Sequence, residues 1–210
     1  IRYLTGFTGS NALLFLSAQH TVLLTDPRYT IQAHEECDCL VKVVSSGPLW
    51  AEVARKIQKR GVGHLGLEAA HITHADWQSV AQTLGRDVRL KALTGLVEKL
   101  RLVKSAGEIE AIRNAVKLTS KAFERVIRKV EHGDTEVGIA ASLDFQMRKL
   151  GADGNAFDTI VAFAARSALP HAHPTTRTID HDQLLLVDMG ASLNGYSSDM
   201  TRVVHIGQPG

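Results

Sequence analysis

The run Leu184-Leu185-Leu186-Val187-Asp188-Met189-Gly190, answered by Gly195-Tyr196-Ser197-Ser198-Asp199-Met200-Thr201-Arg202, is the most informative segment of this 210-residue chain. Two apolar runs around Asn194-Gly195 read as a β-hairpin, because Asn and Gly tolerate the positive φ of a tight two-residue turn. With the turn at Asn194-Gly195, Leu193 pairs with Tyr196, Gly190 faces Asp199 and Asp188 faces Thr201. With the turn one residue earlier, at Leu193-Asn194, Asp188 faces Asp199 directly. Side chains alternate along a strand. Both registers therefore put the two carboxylates on one face, opposite or diagonal, with Cβ atoms roughly 5–8 Å apart.

Like charges so placed repel. Asp188 follows four apolar residues, so desolvation makes an unpaired arrangement costly. Either one carboxylate takes up a proton, or a cation such as an oxygen-liganded divalent metal lies between the two. The bland alternative is that Asp188 only opens a turn before Gly190 while Asp199 pairs with Arg202. Two carboxylates are also an incomplete site, since Mn or Zn takes about four to six ligands. Upstream, the prolines of Leu169-Pro170-His171-Ala172-His173-Pro174 bar a regular helix and stiffen a loop. His171 and His173 are of the type that serves as ligand or acid–base group, since imidazole titrates near neutrality; the alternative is a pair of surface-loop histidines. The other eight histidines are scattered and read as surface or helix-end residues.

Working outward, residues 1–95 alternate short strands with amphipathic helices. Ile1 sits in a strand-like apolar stretch. Strands are expected at Asn11–Leu16 and Thr21–Thr25 around a Ser17–His20 turn, then at Leu40–Val44, His64–Glu68 and Val88–Ala92. Helices are expected at Tyr29–Glu36 after the Asp26-Pro27 start signal, at Leu49–Lys59 with Val53 and Ile57 on one side, and at Thr73–Leu84 between a Thr73 cap and Gly85. This alternation describes an α/β layer with a mostly buried sheet. Ala92–Val103 reads as a connector. Beyond it, Ser105-Ala106-Gly107-Glu108 is a capping box. It opens a long helix with Ile109, Ile112, Val116, Phe123 and Ile127 on one face and an end at His132-Gly133. A second helix, capped by Asp134 or Thr135, runs to Leu150 with Leu143, Met147 and Leu150 on one face. Phe157–Ala164 reads as a strand.

Composition excludes whole classes. Hydrophobic residues make up 44% and charged residues 22%, which is globular rather than disordered. Lys+Arg 24 against Asp+Glu 22 leaves +2 with no basic block, so nucleic acid is not an expected partner. No apolar run approaches the roughly 20 residues of a membrane span, and no membrane association is expected. Cys37 and Cys39 lack a second pair and read as reduced thiols, which points to the cytoplasm. Both ends, Ile1 and the Gly207-Gln208-Pro209-Gly210 turn signal, look like cuts inside an organised protein.

Together these pieces resemble the two-domain members of the M24 metallopeptidase family, the pita-bread enzymes Xaa-Pro dipeptidase (prolidase) and Xaa-Pro aminopeptidase. Tyr3-Leu4-Thr5-Gly6-Phe7 and Leu24-Thr25-Asp26-Pro27-Arg28-Tyr29 resemble the creatinase-type N-terminal domain. Leu100-Arg101-Leu102-Val103-Lys104-Ser105 with Glu108-Ile109 resembles the entry to the catalytic domain. Phe157-Asp158-Thr159-Ile160-Val161-Ala162 and Ser167-Ala168-Leu169-Pro170-His171 resemble the strand and loop of the active-site histidine. The Asp188 and Asp199 segments, eleven residues apart, resemble the first two metal-ligand motifs. Ala164-Ala165-Arg166 departs from a common Ser-Gly-x loop.

The resemblance implies an α/β N-terminal domain over 1–95, a linker at 96–104 and the first half of an α+β pita-bread catalytic domain over 105–210. It implies that Asp188 ligates one of two divalent metal ions (Mn, Co or Zn), that Asp199 bridges both, and that His171 hydrogen-bonds substrate or the tetrahedral intermediate. His173 does not fall on the family's histidine. The implied reaction is hydrolysis of the bond before proline in Xaa-Pro peptides by a metal-activated hydroxide, in a protein that is commonly a homodimer. The family's remaining ligands, a histidine and two glutamates, do not occur at motif positions here, so this piece alone is expected to be inactive. A non-catalytic M24-fold peptide-binding module and a creatinase-type hydrolase are the alternatives; the intact Asp188, Asp199 and His171 argue against both. An exposed sheet edge is expected at Thr201–Ile206.

Overall fold

A computed structural model describes residues 1–59, 61–180 and 182–207, the side chains of Gln58 and Lys59 excepted. The chain folds as two compact units, Ile1–Leu102 and Val103–Gly210. Of the expected C-terminal turn, Gln208-Pro209-Gly210 lie outside the described residues.

The first unit opens with a short helix, α1 (Arg2–Thr5), where a strand-like stretch was expected. Gly6, at φ 80°, ends it by returning its N–H to the Arg2 carbonyl. A Cβ there would lie 2.8 Å from the Glu36 carbonyl oxygen, so glycine is required twice over. β1 (Ala12–Leu16) and β2 (Thr21–Thr25) form the expected hairpin. A 3-10 turn at Pro27–Tyr29, capped by Asp26, leads into α2 (Thr30–Glu36). β3 (Leu40–Val43) then pairs parallel to β2. α3 (Leu49–Lys59), β4 (His64–Glu68), α4 (His74–Leu84), β5 (Arg89–Leu93) and α5 (Leu96–Leu102) complete the unit. The segment expected as a linker, 96–104, thus holds a seven-residue helix. The Thr73 hydroxyl caps α4 and Gly85 ends it, as its sequence signals require.

The sheet expected to be mostly buried consists of two pieces, β1-β2-β3 and a parallel β4-β5 pair, and is buried unevenly. β2 is the strand most deeply covered on both faces. Val22 and Leu24 join the core with Val53, Ala54 and Ile57 of α3 and Val80 and Leu84 of α4. Leu23 packs oppositely, with Phe7, Ala33 and Cys37. β5 is covered less: Leu90 packs half-buried against the core that holds Val22 and Leu24, while its neighbours Arg89 and Lys91 meet solvent, as alternation on a strand covered on one face requires.

The second unit starts with the capping box. Ser105 accepts the Glu108 N–H and Glu108 accepts the Ser105 N–H, opening α6 (Ala106–Ile127). The helix ends at Ile127, short of His132-Gly133. Its buried face is Ala115, Thr119, Ala122 and Val126, whereas Ile109 and Val116 are exposed. The expected Ile109–Val116 stripe is therefore displaced. Small residues face the sheet because they allow the helix backbone to come close.

α7 (Glu136–Lys149), capped by Thr135, buries Ile139, Ala140, Leu143 and Met147, and also Glu136. β6 (Gly154–Asn155) and β7 (Ile160–Phe163) follow, so the strand expected over Phe157–Ala164 begins three residues later and gives way at Ala164 to a 3-10 turn, Ala164–Ala168. β8 (Gln183–Met189), β9 (Ala191–Leu193), β10 (Tyr196–Ser197) and β11 (Met200–Ile206) form two antiparallel sheets, β11-β8-β7 and β10-β9-β6. β11 lies at the edge of its sheet, with Val203 exposed.

Candidate metal and histidine site

The hairpin adopts the first of the two registers. Leu193 pairs with Tyr196, Met189 with Met200, and Asp188 with Thr201. Asn194 at φ 52° and Gly195 at φ 82° make the turn, and this pair of positive φ values is the two-residue hairpin geometry. Asp188 and Asp199 are thus diagonal rather than directly opposite. Leu185, Val187 and Met189 point into the core below α6 and α7, so Asp188 belongs to the other face of the sheet. Met200 is buried in that same core, which by alternation assigns Asp199 and Thr201 to the face of Asp188.

One hairpin crosses both sheets, and the crossing is where Asp199 sits. Pairing lapses at Gly190 and at Ser198-Asp199, then resumes in the same register. A Cβ on Gly190 would lie 2.2 Å from the Ser198 carbonyl oxygen and 2.8 Å from the Phe157 ring. Only glycine admits so close an approach. Ser198 is then pinned from inside: its hydroxyl meets the Thr119 hydroxyl of α6 at 2.6 Å. Both oxygens receive the Ala191 N–H, at 2.9 Å from Ser198 and 3.2 Å from Thr119. The residue before Asp199 is therefore fixed by a buried polar network, while Asp199 itself is exposed. Asp188 is half-buried and accepts a 2.9 Å hydrogen bond from the Thr201 hydroxyl. The alternative ion pair does not form: Arg202 donates to the Thr201 carbonyl, at 2.7 Å.

His171 lies in a turn of the loop between β7 and β8, exposed, next to buried Ala172. His173 is also exposed, as are the other described histidines; His181 lies outside the described residues. The structure brings Asp188 and Asp199 to one face and leaves His171 on a separate loop. Among the described residues no group of three or more His, Cys, Asp or Glu side chains is placed to hold a metal ion.

A residue that pattern reading missed is Glu136. It is fully buried at the start of α7. Burial pushes its carboxyl up. Hydrogen bonds from the Thr175 hydroxyl and from the Phe163 and Thr175 N–H groups, with the Arg166 charge, more than offset that and hold it below its ordinary value. A Glu in the first turn of a helix is usually a solvated capping residue, so no sequence signal marked it as interior.

Comparison with known proteins places these features. Residues 110–210 match metallopeptidase family M24, and residues 1–103 match the creatinase/prolidase N-terminal domain. The chain belongs to metallopeptidase family M24. Among relatives of this M24 chain, the uncharacterized peptidase YqhT of Bacillus subtilis is 37% identical over 209 residues, covering 100% of the chain and 59% of the relative. The Xaa-Pro dipeptidase of Pyrococcus furiosus is 37% identical over 119 residues, 57% of the chain and 34% of that enzyme. In three dimensions the X-Pro aminopeptidase of Thermotoga maritima superposes with a TM-score of 0.94 at 35% identity, over 100% of the chain and 59% of its own. The Xaa-Pro dipeptidase of Bacillus anthracis gives 0.93 at 33% identity, over 100% and 58%. The M24 chain thus spans somewhat over half the length of the relatives it matches from end to end. The second unit is the early part of a pita-bread domain.

A metallopeptidase family implies divalent metal ions. The donors present fit them in kind, since two carboxylates on one sheet face are hard oxygen ligands of the type such ions take. In number they are a partial set.

Proposed function

We propose that this chain contributes the first two metal-ligating carboxylates and the active-site histidine of an Xaa-Pro peptidase. The observation that carries the reading is the diagonal placement of Asp188 and Asp199 on one sheet face, at a break that Gly190 permits. The similarity to an Xaa-Pro dipeptidase and an X-Pro aminopeptidase supports the choice of substrate. Divalent ions held there supply a lowered pKa to water and so a nucleophile near neutral pH. In this reading Asp188 and Asp199 would hold the ions, Asp199 as the shared ligand. The exposed His171 donates a hydrogen bond to the oxygen of the scissile carbonyl as negative charge builds on it.

The same reading takes 1–95 as the N-terminal domain, 96–104 with its helix α5 as the connection, and 105–210 as the first half of the catalytic domain. Mn, Co or Zn as the metal, a homodimer and a cytoplasmic location belong to it too, on family resemblance alone. Among the described residues no helix is long and apolar enough to cross a membrane.

The test is hydrolysis of Xaa-Pro dipeptides and Xaa-Pro-Yaa tripeptides by the full-length protein that carries this chain, with Mn, Co or Zn and after chelation. Metal-dependent cleavage that falls to background in Asp188→Asn and Asp199→Asn is the expected result. Preference between the two substrates separates dipeptidase from aminopeptidase. No cleavage with any of the three metals would overturn the proposal. The 210-residue chain alone should bind no dinuclear centre, and two tight divalent sites in a calorimetric titration of it would contradict that.

A further inference from the structure

We infer that Glu136 is a positioning residue for His171, gripping both stems of the loop that carries the histidine. The inference rests on the peptidase reading for what His171 does, and on geometry alone for how it is held. One Glu136 oxygen, Oε1, accepts the Phe163 N–H at 2.9 Å. The other, Oε2, accepts the Thr175 N–H at 3.0 Å and the Thr175 hydroxyl at 2.7 Å. Arg166 Nε lies 3.2 Å from both oxygens. Phe163 and Arg166 lead into the loop and Thr175 leads out of it.

The grip reaches further along the loop. The Arg166 terminal nitrogen donates to the His173 carbonyl at 2.7 Å, two residues past His171. The Val137 and Glu136 N–H groups, which the start of α7 leaves without partners inside the helix, bind the Thr175 and Arg177 carbonyls. Pro170 and Pro174 fix φ on either side of the histidine. Among the described residues every hydrogen bond to the carboxylate comes from the loop stems and none from α6 or α7.

Stability alone does not call for this arrangement. α7 is already capped by Thr135, and a buried ion pair is often no better for stability than an apolar packing of the same volume. What a carboxylate does that an apolar side chain cannot is orient several donors at once. It offers acceptor sites on two oxygens. It thereby sets the exit from β7 and the return toward β8 with one rigid group. His171 is left exposed on a loop whose backbone is held from below.

The experiment compares Glu136→Gln with Leu143→Ala in the full-length protein. Gln keeps the size but replaces one acceptor oxygen with an NH2 that faces the loop's own donors. Leu143 is a core residue of the same helix and serves as the control for mere destabilisation. Glu136→Gln should lower kcat by about tenfold or more with KM within about threefold, since small misplacements of a reacting group act on kcat. In metal-free protein with labelled histidine, its His171 ring resonance, assigned through His171→Gln, should shift or broaden. Leu143→Ala should lower the unfolding temperature while leaving kcat and that resonance in place.

If Glu136→Gln does not fold, Thr175→Val, which removes the hydroxyl donor to Glu136 and with it the acceptor of the Arg177 N–H, should show the same pattern at smaller amplitude. A folded Glu136→Gln with unchanged kcat and unchanged His171 resonance overturns the inference, as does an unchanged Thr175→Val where Glu136→Gln is unfolded. Should the wild type cleave no Xaa-Pro peptide, the peptidase reading fails. The metal-free resonance then still decides the positioning role.

Discussion

The two units use polar side chains in opposite ways. In the first, apart from buried Thr25, whose hydroxyl donates to the Asn11 carbonyl at 2.7 Å, the polar networks lie at the surface. Thr8 donates its N–H and hydroxyl to Glu36, both at 2.7 Å. Arg28 and Asn11 converge on Asp26, and their hydrogen bonds hold its carboxyl far below the usual range. In the second unit the equivalent groups are interior: Glu136 under the histidine loop and the Thr119–Ser198 pair under Asp199. Surface networks mainly cap turns and are screened by water. Buried ones carry desolvation and must be satisfied. The second unit thus places costly buried polar groups behind two of the residues proposed for chemistry, Glu136 behind the His171 loop and the Thr119–Ser198 pair behind Asp199.

That contrast is most vulnerable at Glu136. Glu136→Ala leaves the Arg166 charge and buried donors uncompensated and should destabilise the second unit by about 3–5 kcal/mol. Both tryptophans, Trp50 and Trp77, lie in the first unit. Their fluorescence therefore follows that unit, and hydrogen exchange of α6 and α7 amides is the measure for the second. Acid gives a matching signature. The folded Glu136 value is depressed, while the unfolded group titrates near 4.3 as ordinary glutamate does, to about that value. Its stabilisation is therefore complete above about pH 4.3 and lost as pH falls from there through the lower folded value. Exchange in α7 should rise in that acid window, and Glu136→Gln should flatten the dependence.

Next, Gly190→Ala forces a Cβ against the Ser198 carbonyl. It should cost about 2–3 kcal/mol by overpacking, with increased exchange at Ala191 and Ser198. Thr119→Val removes one hydroxyl from the pair behind Asp199 and should cost about 1–2 kcal/mol, read by the same exchange. Ala164→Gly acts in the opposite direction. Ala164 sits at φ 55°, a conformation that disfavours a Cβ, so glycine should gain up to about 1 kcal/mol in thermal unfolding. Arg28→Ala, in the first unit, should matter least: tryptophan-monitored urea unfolding should keep nearly the wild-type midpoint. A large loss there would erase the contrast.

Much of the structure is legible in the sequence where the cause is local. The Ser105–Glu108 box, the Thr73 and Thr135 caps and the Asn194-Gly195 turn each satisfy donors or φ values within a few residues, and all form as their residues require. The shared face of Asp188 and Asp199 is legible because strand alternation is local as well. The α6 face is not, since hydrophobicity favours Ile109 and Val116 while close packing selects Ala115 and Ala122. Nor is the short helix at Arg2–Thr5, because four residues are too few to carry a helical period.

By itself the amino-acid sequence determined the succession of elements, the hairpin and the residues that carry the family motifs, since caps, turns and alternation act over a few bonds. Tertiary structure alone put small residues of α6 against the sheet. It also turned a first-turn glutamate inward to hold the His171 loop. Those outcomes depend on which atoms come within hydrogen-bonding or van der Waals reach across segments far apart in sequence, and no local pattern records that.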